Sequence, residues 1–396
     1  MKIAGIICEY NPFHLGHAEH IMQTRKALGE DYAIVCVMSG NFAQRGDYAI
    51  YNKHSRAKMA LQGGADLVIE LPTPYVLQSA EGFAEAGVYL LSKLGTCEYI
   101  SFGSESGDVE KLKEAANVIV SDEAQLITRN WLKRGLSYAS ARQKAADDVM
   151  GSDAAVFRSP NNVLGIEYIK AVMKLGSAMT PFTIMRVGGE HGSDTGFSAT
   201  AARKMLHDGR LPIDIMPEHA VAICESERNA GRGPVSIKSV AAEAAILSRL
   251  RSSNLGFANV SGISEGLEHR FAQFAKRGTS VDSIFEAIKT KRYPMSRVRR
   301  MLMCAVLGVC REDVLNPPPY IKVLGMNNLG KSLLAQMRKK EELQIITKPA
   351  SVLKMCAAAK RLFKLEADAT DFYVLAYNNE QERIGGQEWR ISPVIE

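Results

Sequence analysis

The sequence predicts an α/β protein: a Rossmann-like parallel sheet carrying a helical insertion, followed by a mainly α-helical C-terminal domain. Three observations lead there. Through the first half, short β-prone apolar runs alternate with helical stretches of about a dozen residues, the pattern of right-handed βαβ units. Between Val109 and Met150 the spacing is helical throughout. Beyond residue 215 the periodicity is mostly helical and the charge turns basic.

Taken in order, Ile3–Cys8 reads as the first strand and His17–Leu28 as the helix after it. Ala33–Met38 is a continuous apolar run, as in a strand buried on both faces. His54–Gln62 follows as a helix, Asp66–Leu71 as a third strand stopped by Pro72, and Ser79–Leu94 as a helix ended by Gly95. Cys97–Phe102 is a fourth strand, stopped by Gly103. The insertion, about residues 108–150, holds helices at Val109–Val120, Asp122–Lys133 and Tyr138–Val149, with Trp131 and Tyr138 expected in its core. Alternation resumes with helix Asn162–Leu175, strand Pro181–Val187 and helix Ala199–Leu206; the Gly-rich segment 189–197 reads as a mobile loop. Gly209–Pro212 and Met216-Pro217 mark a boundary between a catalytic domain, 1–215, and a domain spanning 216–396. The latter is expected to hold helices at Ser236–Leu250, Val281–Ile288, Ser296–Leu307, Leu329–Lys340 and Val352–Phe363, interrupted by Pro317-Pro-Pro319. Met301 and Met303 lie at core spacing.

With 46% apolar and 23% charged residues, the 396-residue chain is neither disordered, collagen-like nor a membrane bundle. The longest apolar stretch, Met301–Cys310, is broken by Gly308 and falls short of the roughly 20 residues a bilayer needs. The N-terminal apolar run is too brief for a signal peptide. Seven cysteines lie scattered without a C-x-x-C pair, so reduced, buried thiols, a cytoplasmic setting and no metal site are expected. Residues 216–396 hold 27 Lys and Arg against 19 Asp and Glu, whereas 1–215 hold 22 against 24. The densest basic run, Arg270 to Arg300, includes Arg297, Arg299 and Arg300; it suits a polyanion, because each neutralised phosphate releases counterions.

The chemistry concentrates at His14-x-Gly16-His17, between the first strand and the first helix. Ligands of open parallel sheets bind at that edge, and a helix N-terminus offers free N–H groups to an anion. Two imidazoles can donate to phosphate oxygens more strongly as charge grows in a transition state. No Walker-type lysine follows strand one. Ser198-Ala-Thr200-Ala-Ala-Arg203 begins a late helix; its hydroxyls can cap that helix or bind phosphate, and Arg203 can reach the β- and γ-phosphates. Gln44-Arg45-Gly46 with Lys53, His54 and Arg56 reads either as a solvated loop or as a lid over triphosphate or RNA. Asp66 and Glu70 fall on or at the end of a buried strand.

H-x-G-H followed by S-x-T-x-x-R resembles the HIGH-type nucleotidyltransferase superfamily. Longer strings are more specific: Gly5-Ile-Ile-Cys-Glu-Tyr-Asn-Pro-Phe-His-Leu-Gly-His17, Met38-Ser-Gly-Asn-Phe-Ala-Gln-Arg-Gly46, Ser101-Phe-Gly-Ser-Glu105 and Ser159-Pro-Asn-Asn-Val-Leu-Gly-Ile-Glu-Tyr168. With the Ser198–Arg203 string they look like the bacterial tRNA(Met) cytidine acetate ligase family across essentially the whole chain.

The resemblance implies an enzyme that activates acetate with ATP and Mg²⁺, giving acetyl-adenylate, and acetylates N4 of the wobble cytidine (position 34) of elongator tRNA(Met), without acetyl-CoA and without a membrane. It places ATP contacts on Ile7, Cys8, Glu9, Tyr10, Asn11, Pro12, Phe13, His14, Leu15, Gly16, His17, Ala18, Glu19 and His20. Further contacts fall on Gly103, on Asn161 or Asn162, and on Arg186. The catalytic pair would be His14 and His17, and the basic run with Arg297, Arg299 and Arg300 would hold the tRNA. Where the family has a Gly-Tyr-His-like string, this chain has Gly189-Glu-His191. The loops 41–52 and 188–197 are the natural covers of the pocket. Two other classes fit parts of the pattern. A small-molecule adenylyltransferase of the pantetheine-phosphate or nicotinate-mononucleotide kind shares both motifs but needs only about 160–220 residues. A catalytically silent RNA-binding protein needs neither histidine.

Overall fold

The computed structural model describes residues 1–186, 198–252, 256–263, 266–340 and 342–396, with only the backbone at Lys340. The segment 188–197, His191 included, lies outside the described residues.

The sheet holds β1 (Lys2–Cys8), β2 (Tyr32–Ser39), β3 (Leu67–Leu71), β4 (Cys97–Ser104), β5 (Thr180–Met185), β6 (Tyr320–Met326), β7 (Gln344–Ile346) and β8 (Val394–Ile395). Their order is β8-β6-β3-β2-β1-β4-β5, with β7 beside β6. All pairings are parallel except β3 with β6, where Val68 faces Gly325 in antiparallel register. The sheet is therefore mixed and mostly parallel. The chain runs outward from β1 through β2 to β3 and restarts on the other side at β4, which leaves a crevice at the carboxyl ends of β1 and β4.

Among the described residues, the α-helices of eight residues or more are α1 (Leu15–Leu28), α2 (Lys53–Gln62), α3 (Ala80–Ser92), α4 (Val109–Val120), α5 (Asp122–Lys133), α6 (Tyr138–Met150), α7 (Pro160–Lys174) and α8 (Ala199–His207). They continue with α9 (Glu218–Asn229), α10 (Val240–Arg251), α11 (Leu267–Arg277), α12 (Val281–Ile288), α13 (Met295–Leu307), α14 (Asn328–Lys340) and α15 (Ala357–Val374). Side-chain alternation along the strands feeds two cores. Ile3, Val35, Val37, Leu67 and Ile69 pack with Phe83, Leu91 and Ile166 on one face. Ala4, Ile6, Ile34, Cys36 and Val68 pack with Ile21, Met59, Ala202 and Cys224 on the other. A third core joins α10–α13 and α15 through Phe271, Phe285, Val298 and Met301, and takes in Phe42 and Tyr48. Those two residues belong to a small antiparallel ribbon, Phe42–Ala43 with Asp47–Tyr48, inside the loop after β2.

Several expectations change. The region after 216 is mainly helical, yet its β6, β7 and β8 join the first strand's sheet; α9 and α11 are additional helices. The helix expected at Val352–Phe363 splits into a 3₁₀ turn (Pro349–Lys354) and α15. Tyr138 is exposed rather than in the insertion core, and Arg134 covers the Trp131 ring at 4.7 Å. Cys356 is exposed, and Cys8, Cys97 and Cys310 are only half-buried. Met301 and Met303 are buried as expected. Among the described residues no helix is long and apolar enough to cross a membrane.

Candidate active site

β1 ends in a tight turn. Tyr10 has φ 44°, and the Asn11–Pro12 bond is cis. His14 then caps α1: its Nδ1 accepts from Gly16 N–H at 3.1 Å, while His14 N–H donates to His17 Nδ1 at 3.2 Å. The two rings stack with centroids 3.6 Å apart. Because each Nδ1 accepts a backbone N–H, each neutral ring carries its proton on Nε2. The cap thus fixes the tautomer and leaves two Nε2–H donors for a ligand. His20, one turn on, bonds Ser101 Oγ on β4 at 2.9 Å and bridges the crevice.

Burial, then the charges of Arg186 and Arg203, push His14 down to about 3. Burial and then Arg186 hold His20 to about 4, and burial holds His17 well below the ordinary value. Burial also brings His54, on α2, to about 3. All four are neutral at pH 7. An unfolded chain takes up these protons below about pH 6.5 and the folded chain does not. The histidine contribution to stability is therefore full above pH 6.5 and is lost as the pH drops towards 4, roughly 1.4 kcal/mol per pH unit for each histidine. Urea midpoints followed from pH 7.5 to 4.5 check this, and the slope should flatten in His20→Gln by one histidine's share.

The residues singled out from the sequence converge on this edge. Arg186, at the end of β5, lies against Gly103; a Cβ there would meet Arg186 Cγ at 3.0 Å. Ser198 caps α8, accepting from Ala201 N–H at 3.1 Å. Arg203 donates to Thr200 Oγ1 at 3.1 Å and to Asn11 O at 2.6 Å, tying α8 to the turn after β1. Asn161 and Asn162 start α7 and brace the loop after β4. Asn161 Nδ2 reaches Glu105 Oε1 at 2.7 Å, and Asn162 Oδ1 accepts from the N–H groups of Glu105 and Ser106.

Within the first segment the side chains divide. Ile7, Tyr10 and Phe13 are buried in the cores, so only their backbone can face a ligand. Ala18 packs on the core, Leu15 N–H bonds Ile215 O, and Glu19 accepts from Gln23. Cys8, Glu9 and Gly16 remain partly exposed.

Of the basic residues after β2, Arg45 is exposed in the loop, but Lys53 and Arg56 open α2 and are not solvated. Lys53 is 1% exposed and Arg56 0%. Arg56 donates to the carbonyls of Glu9, Ser39, Gly40 and Tyr51, clamping the ends of β1 and β2 to the loop. Lys53 pairs with Glu70 and Glu388 at 2.6 and 2.7 Å. Nothing local in the sequence identifies Arg56 or Glu388 for these roles, because their partners are remote in the chain.

Of the three basic-run arginines, none is simply solvated. Arg297 lies over the Tyr293 ring, Arg299 is 3.8 Å from Asp47 and over Phe285, and burial lowers the Arg300 pKa. The α13 backbone meets the loop at Gly46, where φ is +74° and a Cβ would lie 2.5 Å from Arg299 C. Lys276, Arg277 and Lys291 are exposed. Among the described residues no group of three or more His, Cys, Asp or Glu could hold a metal.

A family profile described as HIGH Nucleotidyl Transferase matches residues 1–388. The chain is 39% identical to the tRNA(Met) cytidine acetate ligase of Acetivibrio thermocellus, with 100% of both chains covered. It is 36% identical to that of Thermotoga maritima, with 98% of this chain and 99% of the relative covered. The crystal structure of Thermotoga maritima TmcAL bound with alpha-thio ATP superposes with a TM-score of 0.91 at 34% identity, covering 100% of this chain and 99% of that one. End-to-end similarity of sequence and fold, with the H-x-G-H cap at the crevice between β1 and β4, places the chain in the tRNA(Met) cytidine acetate ligase family of HIGH nucleotidyl transferases.

Proposed function

We propose that this enzyme joins acetate to ATP, forming acetyl-adenylate and pyrophosphate, and passes the acetyl group to N4 of the wobble cytidine (position 34) of elongator tRNA(Met) in the cytoplasm. One observation carries the reading: the two fixed Nε2–H donors of His14 and His17 stand with Arg186 and Arg203 at one crevice, in a chain that matches such ligases over its whole length. The ATP contacts inferred from the sequence, Gly103 and Asn161 or Asn162 among them, belong to the same proposal.

Acetate supplies the nucleophilic oxygen, so the first step needs no nucleophile from the protein. The enzyme orients the carboxylate in line with the α-phosphorus and stabilises the charge that gathers on the departing pyrophosphate. His14, His17 and the two arginines are donors suited to that work. Mg²⁺ enters with the triphosphate and neutralises part of its charge. The acetyl-adenylate is a mixed anhydride that water destroys, so the pocket must stay dry until the cytidine arrives. An anticodon base can be splayed out of its loop without breaking a duplex.

Acetate-dependent ATP–pyrophosphate exchange tests the first step; exchange indifferent to acetate would point to the small-molecule adenylyltransferase class. A tRNA with uridine at the wobble position should leave exchange intact and yield no acetylated RNA, since uracil has no exocyclic amine. Mass spectrometry of nuclease digests reads that outcome, and acetyl groups on ribose or adenosine would refute N4 transfer.

The tRNA would approach over α11–α13, where the loop after β2 connects the basic run to the crevice. Arg297, Arg299 and Arg300 contribute to this surface, but Arg299 and Arg300 also hold the α13 junction. Exposed charges make the cleaner test. Lys276→Glu with Lys291→Glu should weaken tRNA binding and reduce its salt slope by about 0.9 per lost duplex phosphate contact. Filter binding from 50 to 200 mM salt measures it; an unchanged slope would place the tRNA elsewhere.

A further inference from the structure

We propose that Glu9 accepts the proton released when cytidine N4 attacks the acetyl-adenylate, an inference that rests on the function just proposed. In that step the N4–C bond forms, the bond from the acetyl carbon to the adenylate oxygen breaks, AMP leaves with the electron pair, and one N–H proton must go to a base. The cytosine amine is a weak nucleophile whose lone pair is spread into the ring, so a base placed at the N–H matters to the rate.

The histidines cannot serve. The Nδ1 lone pairs of His14 and His17 are taken by backbone N–H groups, which leaves both rings as donors at Nε2. His20 is engaged with Ser101. The carboxylates on the segments that frame the crevice are Glu19, Glu105, Asp47 and Glu9, of which Glu19 pairs along α1 with Gln23. Both oxygens of Glu105 are used, Oε1 by Asn161 and Oε2 by Asn162 N–H at 2.9 Å. Asp47 accepts from Tyr48 N–H and faces Arg299 on α13.

Glu9 is different. It follows β1 directly, with its carbonyl held by Arg56 and the next residue in the left-handed turn. Its Oε1 accepts from Gln44 N–H at 2.5 Å, and among the described residues Oε2 has no hydrogen-bond partner. The groups that feel its charge are the guanidinia of Arg56 and Arg203 and the buried Tyr168 phenol. Gln44 belongs to the loop whose Gly46 packs on α13. A base delivered past α13 and that loop therefore meets the Glu9 carboxylate at the end of the central strand.

Glu9→Gln keeps the acceptor for Gln44 N–H and removes the proton acceptor. Exchange and single-turnover acetyl transfer to tRNA are measured side by side on the full-length protein. Transfer should fall by about 10²–10⁴-fold, the usual span for a lost general base. Glu9 lies in the segment assigned to ATP, so the readout is the ratio of the two steps: the loss in transfer should exceed any loss in exchange by that factor, and Glu9→Asp should recover part of the transfer rate. Transfer near the unaltered rate, or equal losses in both steps, would overturn the role. Absence of acetate-dependent exchange in the unaltered protein would instead overturn the function itself, and this role with it.

Discussion

His17→Ala should reduce acetate-dependent exchange by about 10²–10³-fold, the loss typical when one donor to developing charge is removed. ATP affinity should change much less, because the Nε2–H donor is worth most when charge builds on the leaving phosphate. The ring also accepts His14 N–H, so the variant loses part of the α1 cap, at a cost of about 1 kcal/mol. Thermal unfolding of the same variant separates that cost from the catalytic one. His17→Gln is the control: its amide nitrogen can stand near the position of Nε2 and should return part of the rate. If His14→Ala and His17→Ala both turn over normally, the histidines are helix caps and the crevice does different work.

The cap and the proposed catalytic pair are the same two side chains, which explains why this part of the site is legible in the sequence. His14, Gly16 and His17 are contiguous, and local helix geometry alone sets their relation. The strands are legible for a similar reason: Tyr32–Ser39 and Leu67–Leu71 are buried throughout, so their apolar runs are unbroken but for Glu70 and the terminal Ser39. β6 is not. Lys322 stands within it, and only Glu70 and Glu388, on two other segments, make a buried lysine tolerable there. Arg56 is hidden for the same reason: its four acceptors are carbonyls, which carry no sequence signal. The basic character of 270–300 is plain in the sequence, but the resting of the α13 backbone on Gly46 joins segments about 250 residues apart and carries no local signal.

The largest stability effect is expected at Lys53. Its ammonium lies with that of Lys322 among Glu70, Glu388 and Glu366, and all five residues are at most 5% exposed. Glu366 accepts from both Thr73 N–H and Thr73 Oγ1, yet burial and the neighbouring Glu70 push it up to about 8. Both lysines contact Glu70 and Glu388 directly, and Glu366 stands 3.9 Å from Lys53. Lys53→Met leaves Lys322 alone against Glu70 and Glu388. Removing one partner of a buried pair costs about 3–5 kcal/mol, because the remaining charge is neither solvated nor matched. The loss should spread to the crevice, since Lys53 opens α2 and its N–H is held by Asn41 Oδ1, while Asn41 Nδ2 reaches Thr370 on α15. Urea unfolding at pH 7 measures the energy. The double variant Lys53→Met/Glu388→Gln restores the charge balance and should be more stable than Lys53→Met alone, a coupling that independent sites do not show. A single-variant cost below about 1 kcal/mol, the range of exposed pairs, would mean that water reaches the cluster and that the fold does not depend on it.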